Sequence, residues 1–225
     1  RRGVGTMRMR SVLDEQLDEL HRNLIEQGVL VSRSIESAIH AFNANDKELG
    51  KKVVEEDKRI NKKQHEIDEK SQQLIAMQQP NARDLRRIIA VIRASSNLER
   101  MGDHAKNVAD VLRFVNTEER NESLEQIINR MHRLVLEMTR DMIDAFVNFD
   151  VTRAIEIAAR DREVDKIYEE LRFAAVEEMK MNPTHVDTAS QYSFIGMDLE
   201  RIGDYVKNIA EELVYLDTGK IIDLN

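Results

Sequence analysis

One segment of this chain occurs twice, about one hundred residues apart. Residues 98–109 read LERMGDHAKNVA and residues 199–210 read LERIGDYVKNIA, so eight of the twelve positions are identical. Such a repeat predicts that the chain is an internal duplication. The identical positions include a Glu and an Asp four residues apart, followed by a Lys and an Asn. Helix packing requires apolar residues at regular spacing, and it gives no reason to keep charged ones.

Apolar residues recur at helical spacing through the first half of the chain and predict three long helices. These helices cover about 11–43, 46–77 and 81–115. Asn45 or Asp46 is the predicted cap for the second helix, and Asn81 is the predicted cap for the third. Pro80 stops the second helix, since proline cannot continue it.

The same pattern begins again in the second half. A fourth helix is predicted from Leu124, and a fifth runs from an Asp150 cap to a break at Pro183. A sixth helix is predicted to begin at a cap formed by Thr184 and Asp187. The second series of helices therefore aligns with the first.

Six long helices with short connections predict an all-α fold of two tandem, similar, antiparallel three-helix bundles. The polar stretch 116–121 is the predicted boundary between them. The predicted divisions are a tag remnant or disordered start at 1–10, a first three-helix repeat at 11–116, a second at 117–218 and a C-terminal tail at 219–225.

The composition excludes several classes of protein and site. The chain has no Cys, which rules out disulfides, thiolate metal sites and cysteine catalysis. Its net charge of −8 argues against nucleic-acid binding and against peripheral binding to acidic lipid. No stretch approaches the roughly 18 apolar residues of a membrane span, and no signal-peptide core is present. The sequence therefore predicts a cytoplasmic protein without direct membrane insertion.

A helical wheel separates the repeated segment into two faces. Leu98, Met101, Ala105, Val108 and Leu112 share one face and are predicted to be buried. The acids fall on the opposite face, where packing does not explain them. They are Glu99, Asp103 and Asp110 in the first copy and Glu200, Asp204 and Glu211 in the second.

A second helix in each half adds acids at the same spacing. Asp161 and Asp165 border the apolar stripe of the fifth helix, and Asp57 and Asn61 hold the equivalent places in the second helix. Carboxylates that converge from two helices suit a hard cation with oxygen ligands, such as Mg, Ca, Mn or iron.

Pairing of these acids with nearby basic residues is the alternative. Arg100, Lys106, Arg201 and Lys207 would pair with the acids and leave no metal site. A solvated acidic face is also tolerable, because like charges at this spacing cost only ~0.2–0.5 kcal/mol per pair on an exposed helix. The sequence leaves both alternatives open.

No arrangement of residues indicates catalysis. No Glu-x-x-His pair occupies matching positions in both halves, which argues against a ferritin-like di-iron oxidase. His21, His40, His104, His132 and His185 have no duplicated partner and are predicted to be surface residues. The glycines form no phosphate loop, and no serine–histidine nucleophile pattern is present. The sequence therefore predicts a protein that is not an enzyme.

The motifs above resemble the PhoU family of phosphate-regulon accessory proteins. The resemblance rests on the LERxGD motif at 98–103 with its second copy, on the QP…DLR segment at 79–86, and on the two three-helix halves. It covers nearly the whole chain, from about Ser11 to Leu224. It implies a cytoplasmic, all-helical protein of two similar three-helix bundles.

The resemblance also implies a metal site in each repeat. Some members of the family carry multinuclear metal clusters, iron in some cases, on pairs of Glu/Asp-x-x-x-Asp motifs. Asn61 departs from this pattern because its amide offers only a neutral oxygen, so we expect weaker metal binding in the first repeat. The implied ligand positions are Asp57, Asn61, Glu99 and Asp103 in the first repeat and Asp161, Asp165, Glu200 and Asp204 in the second. The supporting positions are Arg100, Asn107, Asp110, Arg201, Asn208 and Glu211.

The function that the resemblance implies is negative regulation of phosphate uptake and of phosphate-starvation signalling. It implies an adaptor that contacts the ATPase subunit of the phosphate ABC transporter and the membrane sensor histidine kinase. A homodimer is also predicted, because long helices often leave an apolar edge uncovered. The alternative functions are a metal-handling or redox helical-bundle protein and a structural helical module with solvated acidic faces.

Overall fold

The structure is a computed structural model that describes the backbone of residues 3–224 and the side chains of residues 12–224. This part of the chain contains seven α-helices, three short 3₁₀ turns and no strand. The predicted tag remnant or disordered start at 1–10 falls partly outside the described residues, and the first helix begins at Gly3 rather than near Ser11. The helices are α1 (Gly3–Ala44), α2 (Lys47–Gln78), α3 (Ala82–Asp110), α4 (Glu122–Asn148), α5 (Val151–Ala158), α6 (Asp161–Met181) and α7 (Val186–Thr218). The 3₁₀ turns are Val111–Arg113, Thr117–Glu119 and Pro183–His185.

Helix starts in the first half follow the predicted capping residues. Asp46 accepts hydrogen bonds from the backbone N–H groups of Glu48 and Leu49, at 3.1 and 2.9 Å. Asn81 caps α3 in the same way, accepting from the N–H of Asp84 at 3.1 Å. These bonds satisfy N–H groups that the first turn of a helix leaves without a partner, so short polar segments are enough to begin long helices.

The predicted fifth helix is broken into two, which corrects the sequence interpretation. α5 ends at Ala158 and α6 begins at Asp161. The backbone N–H of Arg160 donates to the carbonyl of Ile157 at 3.0 Å, only three residues back, and this tighter turn interrupts the helical pattern. Asp161 therefore stands in the first turn of a helix, whereas its counterpart Asp57 lies inside the unbroken α2.

Of the two caps predicted in the second half, one is confirmed and one is wrong. Asp150 accepts from the backbone at the start of α5, as predicted. Thr184 and Asp187 do not cap α7. The Pro183–His185 turn runs directly into that helix, and no side chain caps its first turn. The turn that begins at Pro183 already fixes the direction in which the chain enters α7, so the helix begins without a side-chain cap.

The helices form two antiparallel three-helix halves around one shared core. α1, α2 and α3 pack on one another, and α4, α6 and α7 do the same, with α5 against α4 and α7. The halves meet mainly along α3 and α7, and also along α1 and α4. A single cluster of buried apolar side chains runs through both halves. None of the described helices is long and apolar enough to cross a membrane.

Two histidines predicted to lie at the surface are buried. The His21 ring stacks on Phe149, with ring centroids 4.8 Å apart. His132 lies on the buried face of α4, on which Ile128 and Val135 also lie. The helical spacing of His132 from these apolar residues was a usable sequence signal, because residues three and four apart share a face.

Candidate functional site

The predicted acidic residues of each half lie on two helices of one hairpin. The buried acid of each half is on the first of these helices, and the two partly exposed acids are on the second. In the first half α2 carries Asp57 and Asn61, and α3 carries Glu99 and Asp103. In the second half α6 carries Asp161 and Asp165, and α7 carries Glu200 and Asp204.

A lysine ammonium group joins two of the acids in the first half. Lys106 Nζ donates to Asp57 Oδ2 at 3.1 Å and to Asp103 Oδ1 at 2.6 Å. Asp57 is only 4% exposed, so its carboxylate has little access to solvent and depends on this cation. We call these three residues the first acid–lysine cluster.

The second half repeats the arrangement. Lys207 Nζ donates to Asp161 Oδ2 at 3.0 Å and to Asp204 Oδ1 at 3.4 Å, and Asp161 is also 4% exposed. Lys207, Asp161 and Asp204 form the second acid–lysine cluster. Both copies of the repeat therefore keep a structural unit of one buried Asp, one outer Asp and one bridging Lys. The pairing that the sequence left open as an alternative is thus present for both lysines.

The repeated glycine lets the helix that carries the buried acid approach closely. A Cβ atom at Gly203 would lie 2.9 Å from Asp161 Oδ1, whereas a Cβ atom at Gly102 would meet Ile60 Cδ1 at 2.9 Å and lie at an ordinary contact distance of 3.4 Å from Asp57 Oδ1. Glycine inside a helix costs about 1 kcal/mol relative to alanine, so its presence in both copies needs a reason. The reason is close approach of two helices with a carboxylate between them. The sequence showed the repeated glycine but not this role.

Replacing Gly203 with alanine should displace the Asp161 carboxylate and weaken its bond to Lys207. We expect the free energy of unfolding to fall by about 1–3 kcal/mol, because overpacking outweighs the helix propensity that alanine adds. Urea unfolding followed by circular dichroism measures the change. The matched variant is Gly102→Ala, where the nearest atom to the new Cβ is the flexible Cδ1 of Ile60, at 2.9 Å. An equal loss in both variants would contradict the specific role of Asp161.

Electrostatic repulsion persists within each set of acids despite the lysines. Partial burial raises the pKa of Glu99, and the nearby charges of Asp103 and Asp57 raise it further. Partial burial also raises the pKa of Glu200, with Asp204 as the next cause. One ammonium group therefore leaves each site with an excess of negative charge, which a bound cation would reduce.

Three oxygens of these sites fit a hard cation. Asp57 Oδ1, Asn61 Oδ1 and Asp161 Oδ1 are buried and have no hydrogen-bond partner among the described residues. A buried acceptor without a partner costs about 1–3 kcal/mol, and carboxylate and amide oxygens are the ligands that Mg, Ca or Mn prefers. The donor set therefore fits such an ion. The side chains are not arranged as a ready-made site, since no three His, Asp or Glu of the described residues converge on one ion position.

The two sites differ at one ligand position. Asn61 Nδ2 donates to Asp57 Oδ2 at 3.4 Å, so the amide contacts the buried acid without adding charge. Its counterpart Asp165 is exposed, and its charge raises the pKa values of both Asp161 and Glu200. The second site therefore has one more negative charge at the surface of the hairpin.

The supporting positions predicted from the sequence do not form one group. Arg201 contacts the acids, with its guanidinium 3.4 Å from Asp204 and 3.7 Å from Glu200. Arg100 lies over the ring of Tyr205 instead, 5.8 Å from its centroid. Asn208 is half-buried on α7, next to Lys207. The remaining three lie elsewhere: Asn107 at the contact between the halves, and Asp110 and Glu211 one turn beyond the lysines.

A polar contact between the halves was not predicted. His104 Nδ1 lies 2.7 Å from Asp198 Oδ1, and Asn107 Nδ2 donates to the same oxygen at 3.3 Å. Asp198 is buried at the contact of α3 with α7. His104 and Tyr205, which are equivalent positions of the repeat, also face each other with ring centroids 5.6 Å apart. Equivalent positions of the two repeats therefore meet where α3 packs on α7.

Comparison with protein families gives two matches within the chain. The PhoU domain model matches residues 24–112 and again residues 128–213. The two matches correspond to the two three-helix halves.

Individual relatives are similar over nearly the whole chain. A phosphate-specific transport system accessory protein PhoU homolog of Streptococcus pneumoniae is 36% identical over 217 residues, which are 96% of this chain and 100% of the relative. The homolog of Clostridium acetobutylicum is 34% identical, over 96% of this chain and 99% of the relative.

Solved structures agree with the fold. The crystal structure of the phosphate transport system regulatory protein PhoU from Streptococcus pneumoniae superposes with a TM-score of 0.89 at 33% identity, over 94% of this chain and 99% of that one. The crystal structure of PhoU from Pseudomonas aeruginosa superposes with a TM-score of 0.88 at 31% identity, over 92% of this chain and 99% of that one.

Proposed function

Since this chain belongs to the PhoU family, we propose that it is a regulatory accessory protein of a phosphate transport system. This function is supported by the PhoU domain model, which matches the chain twice, and by relatives of this name that are similar over nearly the whole chain. The acid–lysine clusters of the two repeats are the chemical feature from which we propose a more detailed function.

The finer proposal is a cytoplasmic adaptor and negative regulator. It would contact the ATPase subunit of the phosphate ABC transporter and the sensor histidine kinase, and hold both in a signal-off state when phosphate is abundant. Binding rather than catalysis is proposed, because neither site contains a nucleophile paired with a general base. A second copy of the chain is the proposed oligomeric partner.

Metal binding at the two acidic sites is part of the proposal. Asp57, Asn61, Glu99 and Asp103 would hold one group of ions, and the equivalent residues of α6 and α7 the other. The bound metal would supply positive charge at a surface that otherwise repels anions. Lys106 and Lys207 already contact the carboxylates, so each lysine would have to move aside for its acids to act as ligands.

Direct sensing of phosphate by this protein would require metal bound at the acidic sites. An acidic face without metal repels phosphate, so inorganic phosphate should bind the metal-loaded protein and not the metal-free one. Isothermal titration calorimetry with phosphate, before and after chelation, measures this. Phosphate binding that persists after complete metal removal would contradict the proposed route.

The two repeats should differ in metal affinity. We expect Asn61→Asp to strengthen Mn²⁺ binding in the first repeat and Asp165→Asn to weaken it in the second, because ligand charge sets affinity for hard cations. Each change should alter the dissociation constant about tenfold at its own site. Calorimetric titration of Mn²⁺ measures both variants. Unchanged affinity in both would show that position 61 and its counterpart are not ligands.

Affinity purification from phosphate-replete and phosphate-starved cells tests the adaptor role, with metal content measured on the same sample. We expect the transporter ATPase subunit and the histidine kinase to be enriched from replete cells. The matched variant is Asp57→Asn combined with Asp161→Asn, which should lose metal. Absence of both partners under both conditions would refute the adaptor role. Recovery of both partners with metal-free protein would remove only the metal part.

A further inference from the structure

The chain turns back on itself after its last helix. α7 ends at Thr218, and Gly219 follows in the left-handed region with φ 72°, which reverses the chain direction. The backbone N–H of Leu224 then donates to Glu211 Oε1 at 3.0 Å. The tail therefore runs back along α7 toward the second acid–lysine cluster.

The end of this tail lies in the crevice beside the second cluster. Leu224 lines a cavity of about 280 Å³ together with Asp161, Asp165, Lys207 and Ala158. Its side chain is half-buried and packs against the apolar core. The end of α5 and the start of α6 form its walls, with Ala158 and Asp161 on either side of the helix break.

The first acid–lysine cluster is more exposed than the second: the side chains of Lys106 and Asp103 are 31% and 43% exposed, against 16% and 30% for Lys207 and Asp204. Val54 and Glu55, the counterparts of Ala158 and Ala159, line a cavity that contains none of the first cluster's residues. Asp110, the counterpart of Glu211, pairs with Arg113 at 3.1 Å. The chain continues there through the 3₁₀ turn Val111–Arg113 into the second half, so no tail is available to fold back.

From this difference we propose that residues 220–224 form a strap that closes the second acidic site and controls the access of cations to it. The inference deepens the proposed function, since it concerns regulation of one of the two proposed metal sites. The first site is more exposed and has no such strap, so we expect the two sites to exchange their ions at different rates.

The strap lies outside the helices. The bond from the Leu224 N–H to Glu211 and the half-buried Leu224 side chain anchor its end, whereas Ile221 in the same segment is 79% exposed. A short segment outside the helices opens more often than the helices around it unfold. Loss of the apolar contact of Leu224 should therefore favour opening.

Thiol labelling tests the strap and needs no bound metal. The chain has no Cys of its own, so a single introduced Cys is the only group that is labelled. Ala158→Cys places one thiol on the buried wall of the covered crevice. Adding Leu224→Ser should raise the rate at which dithionitrobenzoate labels this thiol about tenfold. The closed strap then lacks the apolar contact of the leucine, so the strap is open more often. Ile221→Ser is the matched tail control and should leave the rate unchanged. Val54→Cys, at the position in the first half that corresponds to Ala158, should label at the same rate with and without Leu224→Ser.

Release of Mn²⁺ to EDTA tests the gating of cations. In the Leu224→Ser protein, part of the bound Mn²⁺ should dissociate about tenfold faster than in the parent, while the rest is unaffected. Unchanged thiol labelling overturns the strap whatever the metal result. Faster labelling with unchanged Mn²⁺ release overturns its control of cations. Failure of the parent to bind Mn²⁺ defeats the metal part of the proposed function, and thiol labelling then decides the strap alone.

Discussion

Replacing Lys207 with methionine is expected to lower the free energy of unfolding by about 3 kcal/mol at pH 7, because a buried carboxylate loses the cation that pairs with it. Asp161 is 4% exposed and Lys207 contacts it at 3.0 Å, so solvent cannot replace the ammonium group well. Methionine keeps most of the packing of the lysine stem. Chemical unfolding in urea measures the loss.

The pH dependence of this variant has a definite sign. Burial raises the pKa of Asp161 in the parent protein, and the hydrogen bond from Lys207 opposes that rise. Without Lys207 the pKa rises further, so the folded protein binds a proton that the unfolded chain does not. The destabilisation should therefore be largest at neutral pH and become smaller as the pH falls toward 4, close to the ordinary pKa of Asp, below which the carboxyl is protonated in both states.

Two further variants separate the buried pair from a general effect of charge. Lys166→Met removes an exposed lysine of α6 and should change the free energy of unfolding by less than about 0.5 kcal/mol. Adding Asp161→Asn to Lys207→Met should restore part of the stability, since a neutral amide needs no counter-charge. A Lys207→Met protein as stable as the parent would show that the cluster contributes nothing to folding.

The same Lys207→Met change that lowers stability should raise the affinity for metal. The ammonium group of Lys207 competes with any cation for Asp161 and Asp204, so its removal should tighten Mn²⁺ binding about tenfold or more. Calorimetric titration on the same variant measures this. Weaker binding in the Lys207→Met protein would mean that the lysine supports the site rather than competing for it.

The second large effect concerns His132, which should make the protein sensitive to acid. Burial lowers the pKa of His132 to about 4, against an ordinary value of 6.5, and a hydrogen bond with the backbone of Ile35 only partly opposes the shift. The unfolded chain therefore binds a proton that the folded protein does not bind between these pH values. At 1.36 kcal/mol per pKa unit, about 3 kcal/mol of stability is present above pH 6.5 and lost as the pH falls to 4.

Replacing His132 with leucine should remove this loss. The charged groups that influence its ring are Glu36, His40 and Arg140, and none of them is changed. Stability curves in urea at pH 7, 5.5 and 4 measure the difference between variant and parent. The variant must be compared with the parent at each pH, because Glu99 and Asp161 affect the stability of both proteins in the opposite direction. Their raised pKa values add stability as the pH falls.

A histidine at the surface provides the control for this experiment. His65→Gln on the exposed face of α2 should leave the pH profile of the parent unchanged. If His132→Leu also keeps the parent profile, the acid sensitivity of the fold arises elsewhere.

The sequence predicted the helical plan because the signals involved are local. Apolar spacing and the polar residues before each helix act within a few positions along the chain, as at Asp46, Asn81 and Asp150. The exceptions are also local in origin. The break at Ala159–Arg160 and the uncapped start of α7 depend on small differences in turn geometry that the apolar pattern does not record.

The candidate sites were only partly predictable for a different reason. The spacing of Glu99 with Asp103, and its copy, identified the acids that share a helix face. It did not decide whether Lys106 would contact those acids or point into solvent, because a long side chain reaches several places from one position. The contact depends on how closely α2 and α3 approach, and Gly102 sets that approach.

By itself the sequence determined an internal duplication, six helical segments, the buried stripe of each helix and a set of acids on the far face. It could do so because periodicity and repetition are properties of one chain position relative to the next. Tertiary structure alone decided which lysines pair with those acids, why a glycine is repeated, which histidines are buried, where the fifth helix divides, and that Leu224 of the tail lies beside the second site. These features depend on distances between helices far apart in the chain, and packing of the whole core sets those distances.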